Sequence, residues 1–100
     1  MSMDREFISS QRRVICARMR RYEGFVRRAR EEGRPLTERE RFKLRVIVPR
    51  LERVLELMKE NRYGVCTQCG EKINIRRLRA IPGALCCLEC QQMEDTRDAA

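Results

Sequence analysis

Two Cys-x-x-Cys pairs, Cys66/Cys69 and Cys87/Cys90, stand 17 residues apart in a chain of 100. Two cysteines at this short spacing form a knuckle that turns both thiolates to one side of a tight turn. Two facing knuckles make a tetrahedral all-sulfur cage, a donor set and spacing that suit Zn²⁺. All four positions are then filled by protein, which leaves no place for an activated water. The pattern predicts one structural Zn²⁺ held by Cys66, Cys69, Cys87 and Cys90, with no catalytic residues, and so a recognition module rather than an enzyme.

Composition points the same way. Aromatic residues make up 5% of the chain, there is no tryptophan, and 38% of residues are charged. A core drawn from such a sequence is thin, and a metal staple compensates for that. Histidine is absent, which excludes Ser-His-Asp and Cys-His nucleophilic machinery and every His-ligated metal site. Six cysteines could also signal a secreted disulfide scaffold. However, Met1 to Glu6 is polar and no apolar run is long enough for a signal peptide or a membrane span. A reducing, cytoplasmic setting is expected, in which paired Cys-x-x-Cys motifs act as metal ligands. Redox use of the dithiols is the lesser reading at this spacing. Cys16 reads as a small packing residue. Cys86 competes with Cys87 as fourth ligand, because three intervening residues before Cys90 are also permissible; Cys87 is preferred because it restores the symmetric spacing.

The segment ahead of the cysteines reads as two amphipathic helices. Ile15, Met19, Tyr22, Val26 and Ala29 recur at alternating steps of four and three over about residues 4–31, a heptad seam. Gly33 followed by Pro35 marks the stop. Thr37 and Glu40 fit a capping box that restarts the chain at once. Leu44, Ile47, Leu51, Val54 and Met58 form the second seam, to about Asn61, with Val48 and Leu55 widening the stripe. A connection this short makes the helices antiparallel neighbours. Pro49 falls inside the second helix at a cost of about 3 kcal/mol in a regular helix. It predicts a kink, or a break into two helices, near 46–49, with a short strand at 44–48 as the alternative. The expected fold is therefore mainly α: an antiparallel, coiled-coil-like helical hairpin over 1–62 with its tip about 32–36, then a small four-cysteine zinc finger and a C-terminal helix over 63–100. Ile73, Ile75, Leu78, Ile81 and Leu85 are expected to pack around the metal, a last helix to run over about 88–97, and the tail to Ala100 to fray.

Charge separates the same two parts. The net +8 divides as +4 over residues 1–33, +4 over 34–64 and zero over 65–100. A basic, arginine-rich hairpin suits nucleic acid or an acidic protein surface, although exposed Arg/Glu pairing on a solvated helix face explains part of it. Only five aromatic residues, Phe7, Tyr22, Phe25, Phe42 and Tyr63, are available to stack on bases.

The residues around the cysteines carry a more specific signal. Tyr63-Gly64-Val65-Cys66-Thr67-Gln68-Cys69-Gly70-Glu71-Lys72-Ile73, Arg76-Arg77-Leu78-Arg79-Ala80-Ile81-Pro82 and Cys87-Leu88-Glu89-Cys90-Gln91 together resemble the C4-type zinc finger of the DksA/TraR family over about residues 63–93. The preceding hairpin is also similar to that family. The resemblance implies a transcription regulator that binds bacterial RNA polymerase, with the hairpin entering the secondary channel and the finger and C-terminal helix seating the protein at its rim. It implies no catalysed reaction. The tip departs from the family: Arg30-Glu31-Glu32-Gly33-Arg34-Pro35-Leu36-Thr37-Glu38 contains no aspartate pair. Glu31 and Glu32 offer carboxylates there, but at a different spacing, so the family's tip role is not carried over to them. The alternative reading is a basic zinc module that binds nucleic acid. No membrane partner is expected, and the pattern sets no oligomeric state.

Overall fold

The computed structural model describes residues 4–99, with side chains described for 4–97. The expected fraying at Ala100 lies outside the described residues. Helix α1 spans Arg5–Glu32 and ends at Gly33, whose φ of 62° is the left-handed conformation that glycine adopts without strain. The amide of Arg34 closes the end on the Ala29 carbonyl at 3.0 Å. Asp4 caps the start by accepting from the Glu6 N–H.

After the tip, helix α2 (Glu38–Phe42) starts on the expected capping box. Thr37 accepts from the Glu40 N–H at 3.1 Å, and Glu40 accepts from the Thr37 N–H at 2.9 Å. A π-helical segment, Lys43–Ile47, leads into helix α3 (Val48–Lys59). This wide turn is the chain's response to Pro49. The Val48 N–H reaches back five residues to the Lys43 carbonyl, which eases the clash a proline ring makes with the carbonyl four residues earlier. The helical path does not break into separate pieces here, because Ile47 and Val48 keep helical backbone angles. No strand forms at 44–48.

The helices run antiparallel, as three contacts along their length show. Lys43 Nζ lies 5.4 Å from the Phe25 ring centre. Further along, Ile15 and Val54 both face Gly83. Last, Gln11 meets Tyr63. Residues progressively earlier in α1 thus meet residues progressively later in the chain. Ile15, Tyr22 and Ala29 on α1, with Leu51, Val54 and Met58 on α3, are buried as the seams require. Leu57 is buried beside them.

Two helices alone leave their stripes half covered. The C-terminal part covers one end. Tyr63, Ile73, Leu78 and Ala84 join the same buried cluster as Ile15 and Val54. Helix α4 (Ile75–Ala80) is a single short piece; Asn74 caps it by accepting from the Arg76 N–H at 2.8 Å. Helix α5 spans Leu88–Ala99. Ile75 and Ile81 do not pack around the cysteines as expected, being 43% and 49% exposed. They stand at the two ends of α4, whose inward position is taken by Leu78 alone.

Candidate metal centre

The first knuckle is built by backbone bonds on either side of Cys66 and Cys69. The Gly70 N–H donates to the Cys66 carbonyl at 3.0 Å, and the Cys66 N–H donates to the Glu71 carbonyl at 2.8 Å. Gly70 has a φ of 79°, so the turn reverses where a side chain would strain it. An isolated antiparallel bridge, Val65 with Lys72, closes the loop behind the knuckle. The second knuckle opens α5: the Cys90 N–H points at Cys87 Sγ at 3.5 Å, and the Gln91 N–H donates to the Cys87 carbonyl. The two knuckles are tied together by Thr67. Its N–H and its hydroxyl both donate to the Leu85 carbonyl, at 2.9 and 3.2 Å. Arg77 Nε from α4 holds the Cys86 carbonyl at 2.9 Å.

This framework brings Cys66, Cys69, Cys87 and Cys90 together, with the four Sγ atoms all within 4.8 Å of one another. Cys69 and Cys87 Sγ are 3.8 Å apart. A tetrahedral Zn²⁺ with bonds of about 2.3 Å requires sulfur–sulfur edges of about 3.8 Å. The donor set and its spacing therefore fit zinc. Cys66 is buried, Cys87 and Cys90 are half-buried, and Cys69 is exposed. Cys86 lies outside the group of four, its Sγ 3.9 Å from the Thr67 hydroxyl, and burial pushes its thiol pKa up. Cys16 also lies apart, half-buried on α1.

The electrostatics of the cage are those of a cation site. Burial pushes the Cys66 thiol upward, but N–H groups of Cys87, Cys69 and Gln68 outweigh it and bring the thiol down to about 6. Cys90 is driven in the opposite direction, first by the Cys87 sulfur and then by burial. Four thiolates this close cannot all carry charge unaided, and a divalent ion at their centre removes the conflict.

The hairpin tip differs from its sequence reading. Arg34 lies between Glu32, at 2.6 Å, and Glu40, at 3.1 Å. Glu32 is thereby engaged, whereas Glu31 is exposed and, like Glu38, makes no ion pair among the described residues. Glu40 is held down at about 2 by the Arg34 guanidinium first and the Thr37 N–H second.

Sequence reasoning missed the joint between hairpin and finger. The Tyr63 hydroxyl donates to Gln11 Oε1 and accepts from the Gly83 N–H. The signal was weak: Gln11 stands one helical turn before Ile15, on the same side of α1, whereas the alternation of the seam itself points back to Arg12.

The fold and site together define a class: a helical hairpin carrying a four-cysteine zinc finger at its base. Residues 61–94 match the model of the prokaryotic dksA/traR C4-type zinc finger, and the chain is a zinc-finger protein of the DksA/TraR family. It is 35% identical over 72 residues to the RNA polymerase-binding transcription factor DksA of Escherichia coli strain K12, a match over 72% of this chain and 48% of that protein. The protein of that name from Buchnera aphidicola subsp. Schizaphis graminum is 33% identical over the same shares. The chain thus spans about half the length of the curated relatives it matches. Among solved structures it is similar to transcription factor DksA2 of Pseudomonas aeruginosa, with a TM-score of 0.68 and 23% identity over 97% of this chain and 89% of that one. It is also similar to the RNA polymerase binding protein and transcriptional regulator Dks of Chlamydia trachomatis L2, with a TM-score of 0.70 and 24% identity over 98% of each chain. These last two likenesses concern the fold.

Proposed function

We propose that this chain is a transcription regulator that docks on bacterial RNA polymerase, at the secondary channel, and acts by occupancy rather than by turnover. One structural Zn²⁺ on Cys66, Cys69, Cys87 and Cys90 holds the base in shape. Residues 1–62 serve as the arm and 63–100 as the base. The observation that supports this reading most is the rigid joining of arm to base. The buried Tyr63 hydroxyl bonds to both Gln11 of α1 and Gly83 of the finger, and Arg79 of α4 stacks on Phe7 with 5.9 Å to the ring centre. A finger fixed to a hairpin in this way sets where the tip lies relative to whatever the base contacts. The curated relatives it matches are named as RNA polymerase-binding transcription factors, which supports polymerase as the partner. The tip here is stapled by Arg34 between two glutamates and presents no aspartate pair, so its effect on the polymerase is its own.

Retention of the zinc-loaded protein on immobilised core RNA polymerase, relieved by a known secondary-channel binder, tests the proposal. Retention at low micromolar protein with competition is the expected result. No retention, or retention indifferent to the competitor, contradicts it.

A further inference from the structure

Helix α1 carries three arginine doublets, Arg12-Arg13, Arg20-Arg21 and Arg27-Arg28, that neither the seam nor the finger uses. Their spacing is eight and then seven residues, which places successive doublets about 12 and 10.5 Å apart along the axis. Arg13, Arg20 and Arg27 each precede a buried seam residue (Ile15, Tyr22, Ala29) by two positions. Two positions correspond to about 200° round the helix, so these three arginines form a ridge on the face turned away from α3. All six of these arginines are exposed. None of the six makes an ion pair among the described residues, whose four ion pairs involve Arg34, Arg53 and Arg62 instead. The bland explanation, a face neutralised by i,i+4 partners, therefore does not describe this ridge.

From this juxtaposition we propose that the outer face of α1 binds the phosphate backbone of a nucleic-acid duplex, without reading its sequence. The guanidinium fork matches phosphate oxygens bidentately. Doublets about 10–12 Å apart suit the two phosphate rims of a groove roughly 12 Å wide. The residues between the doublets include the small Ala17 and Gly24. A protein partner surface is less well matched, because its centre needs apolar or aromatic anchors, and the aromatic residues of α1 lie elsewhere: Tyr22 is buried and Phe7 and Phe25 are half-buried against the core. The same shortage of exposed rings disfavours single strands, which are held by stacking. The proposal does not rest on polymerase docking and stands or falls without the polymerase.

The test is fluorescence anisotropy of the zinc-loaded full chain with 20-base-pair DNA and RNA duplexes of two unrelated sequences, a single strand and poly-glutamate, over a salt series. Binding to duplex of either sugar, equal for the two sequences, is expected. The R13Q/R20Q/R27Q variant should lose on the order of tenfold or more in affinity at low salt, and its slope of log K against log salt should become shallower by roughly 2–3 for DNA. The charge-matched R39Q/R45Q/R50Q variant, altered at exposed positions of the returning helix, should lose less than about threefold. The R13K/R20K/R27K variant keeps the charge but loses the fork, so it should bind more tightly than the Gln triple and less tightly than the native chain. Equal losses in the two Gln triples would overturn the proposal. So would tighter binding to poly-glutamate than to duplex, which would assign the ridge to an acidic protein, or tighter binding to the single strand.

Discussion

The Tyr63 hydroxyl donates to Gln11 Oε1 across 2.6 Å, linking residues 52 positions apart in a buried setting. The same oxygen accepts from the Gly83 N–H at 3.0 Å. One side chain thus satisfies a polar group on the hairpin and another on the finger, and all three residues are buried. Removing the oxygen by Tyr63→Phe leaves both partners unpaired. We expect a loss of about 1–3 kcal/mol in denaturant unfolding, with little change in zinc content. Gln11→Leu, which removes a polar group along with its bond, should cost less.

Burial raises the Tyr63 hydroxyl above its usual pKa, opposed in part by the Gly83 N–H. The sign follows from linkage: a raised folded pKa contributes stability that is complete below the unfolded value near 10 and is lost as pH climbs through the folded one. Alkaline titration should therefore unfold the native chain at lower pH than Tyr63→Phe referenced to its own neutral stability. Identical normalised alkaline transitions would refute the assignment.

Gly83 packs directly against Ile15 of the hairpin. Its φ is 85°, and a Cβ there would stand 2.8 Å from Ile15 Cδ1. Gly83→Ala should cost about 2–4 kcal/mol from left-handed strain and overpacking together. Ile15→Val removes the methyl in the way at a cost of about 1 kcal/mol. The double variant should be less destabilised than the sum of the two, because neighbours in contact do not add. Strict additivity in a double-mutant cycle would show that the two residues do not meet.

At the tip, Glu40 is the group to titrate. Arg34 and the Thr37 N–H hold its carboxyl at about 2. A depressed carboxylate contributes stability present above its unfolded value and lost as pH falls through the folded one. The cap of α2 should therefore persist at pH 5 and weaken between about 4.5 and 2. Carbon-detected NMR of the Glu40 carboxyl reads this directly, and a midpoint near the ordinary value of 4.5 would contradict the staple. Arg34→Ala should raise the midpoint without unfolding the hairpin.

Much of this molecule was legible in its sequence, for physical reasons that differ by region. The Cys-x-x-Cys spacing leaves a knuckle little freedom, so the cluster of Cys66, Cys69, Cys87 and Cys90 could be read in advance. Gly33 and the Thr37/Glu40 box fixed the tip because caps are local chemistry. The response to Pro49 was harder to read: a proline can break, kink or widen a helix, and here the turn widens over Lys43–Ile47. The joint through Gln11, Tyr63 and Gly83 is a long-range event, and local pattern carries only a hint of it. Ile75 and Ile81 were misplaced because α4 is too short to show a period, so apolar character alone suggested burial.

The cage should govern the finger more than the hairpin. Cys69→Ser is expected to abolish zinc retention and to disorder residues 63–97, leaving α1 and α3 largely helical on their own seam. Circular dichroism with proton NMR distinguishes this from global collapse, and a finger spectrum as well dispersed as that of the native chain would count against it. Lowering the pH should release the metal, because protons compete for the same sulfurs.

The most direct measurement is native mass spectrometry of the purified chain under reducing conditions, repeated on Cys66→Ser, Cys69→Ser, Cys87→Ser, Cys90→Ser and Cys86→Ser. We predict one zinc ion per chain in the native protein and in Cys86→Ser, and none retained in the other four. A bare native chain, or zinc kept by a ligand variant and lost from Cys86→Ser, would contradict the four-sulfur centre on which this account of the finger rests.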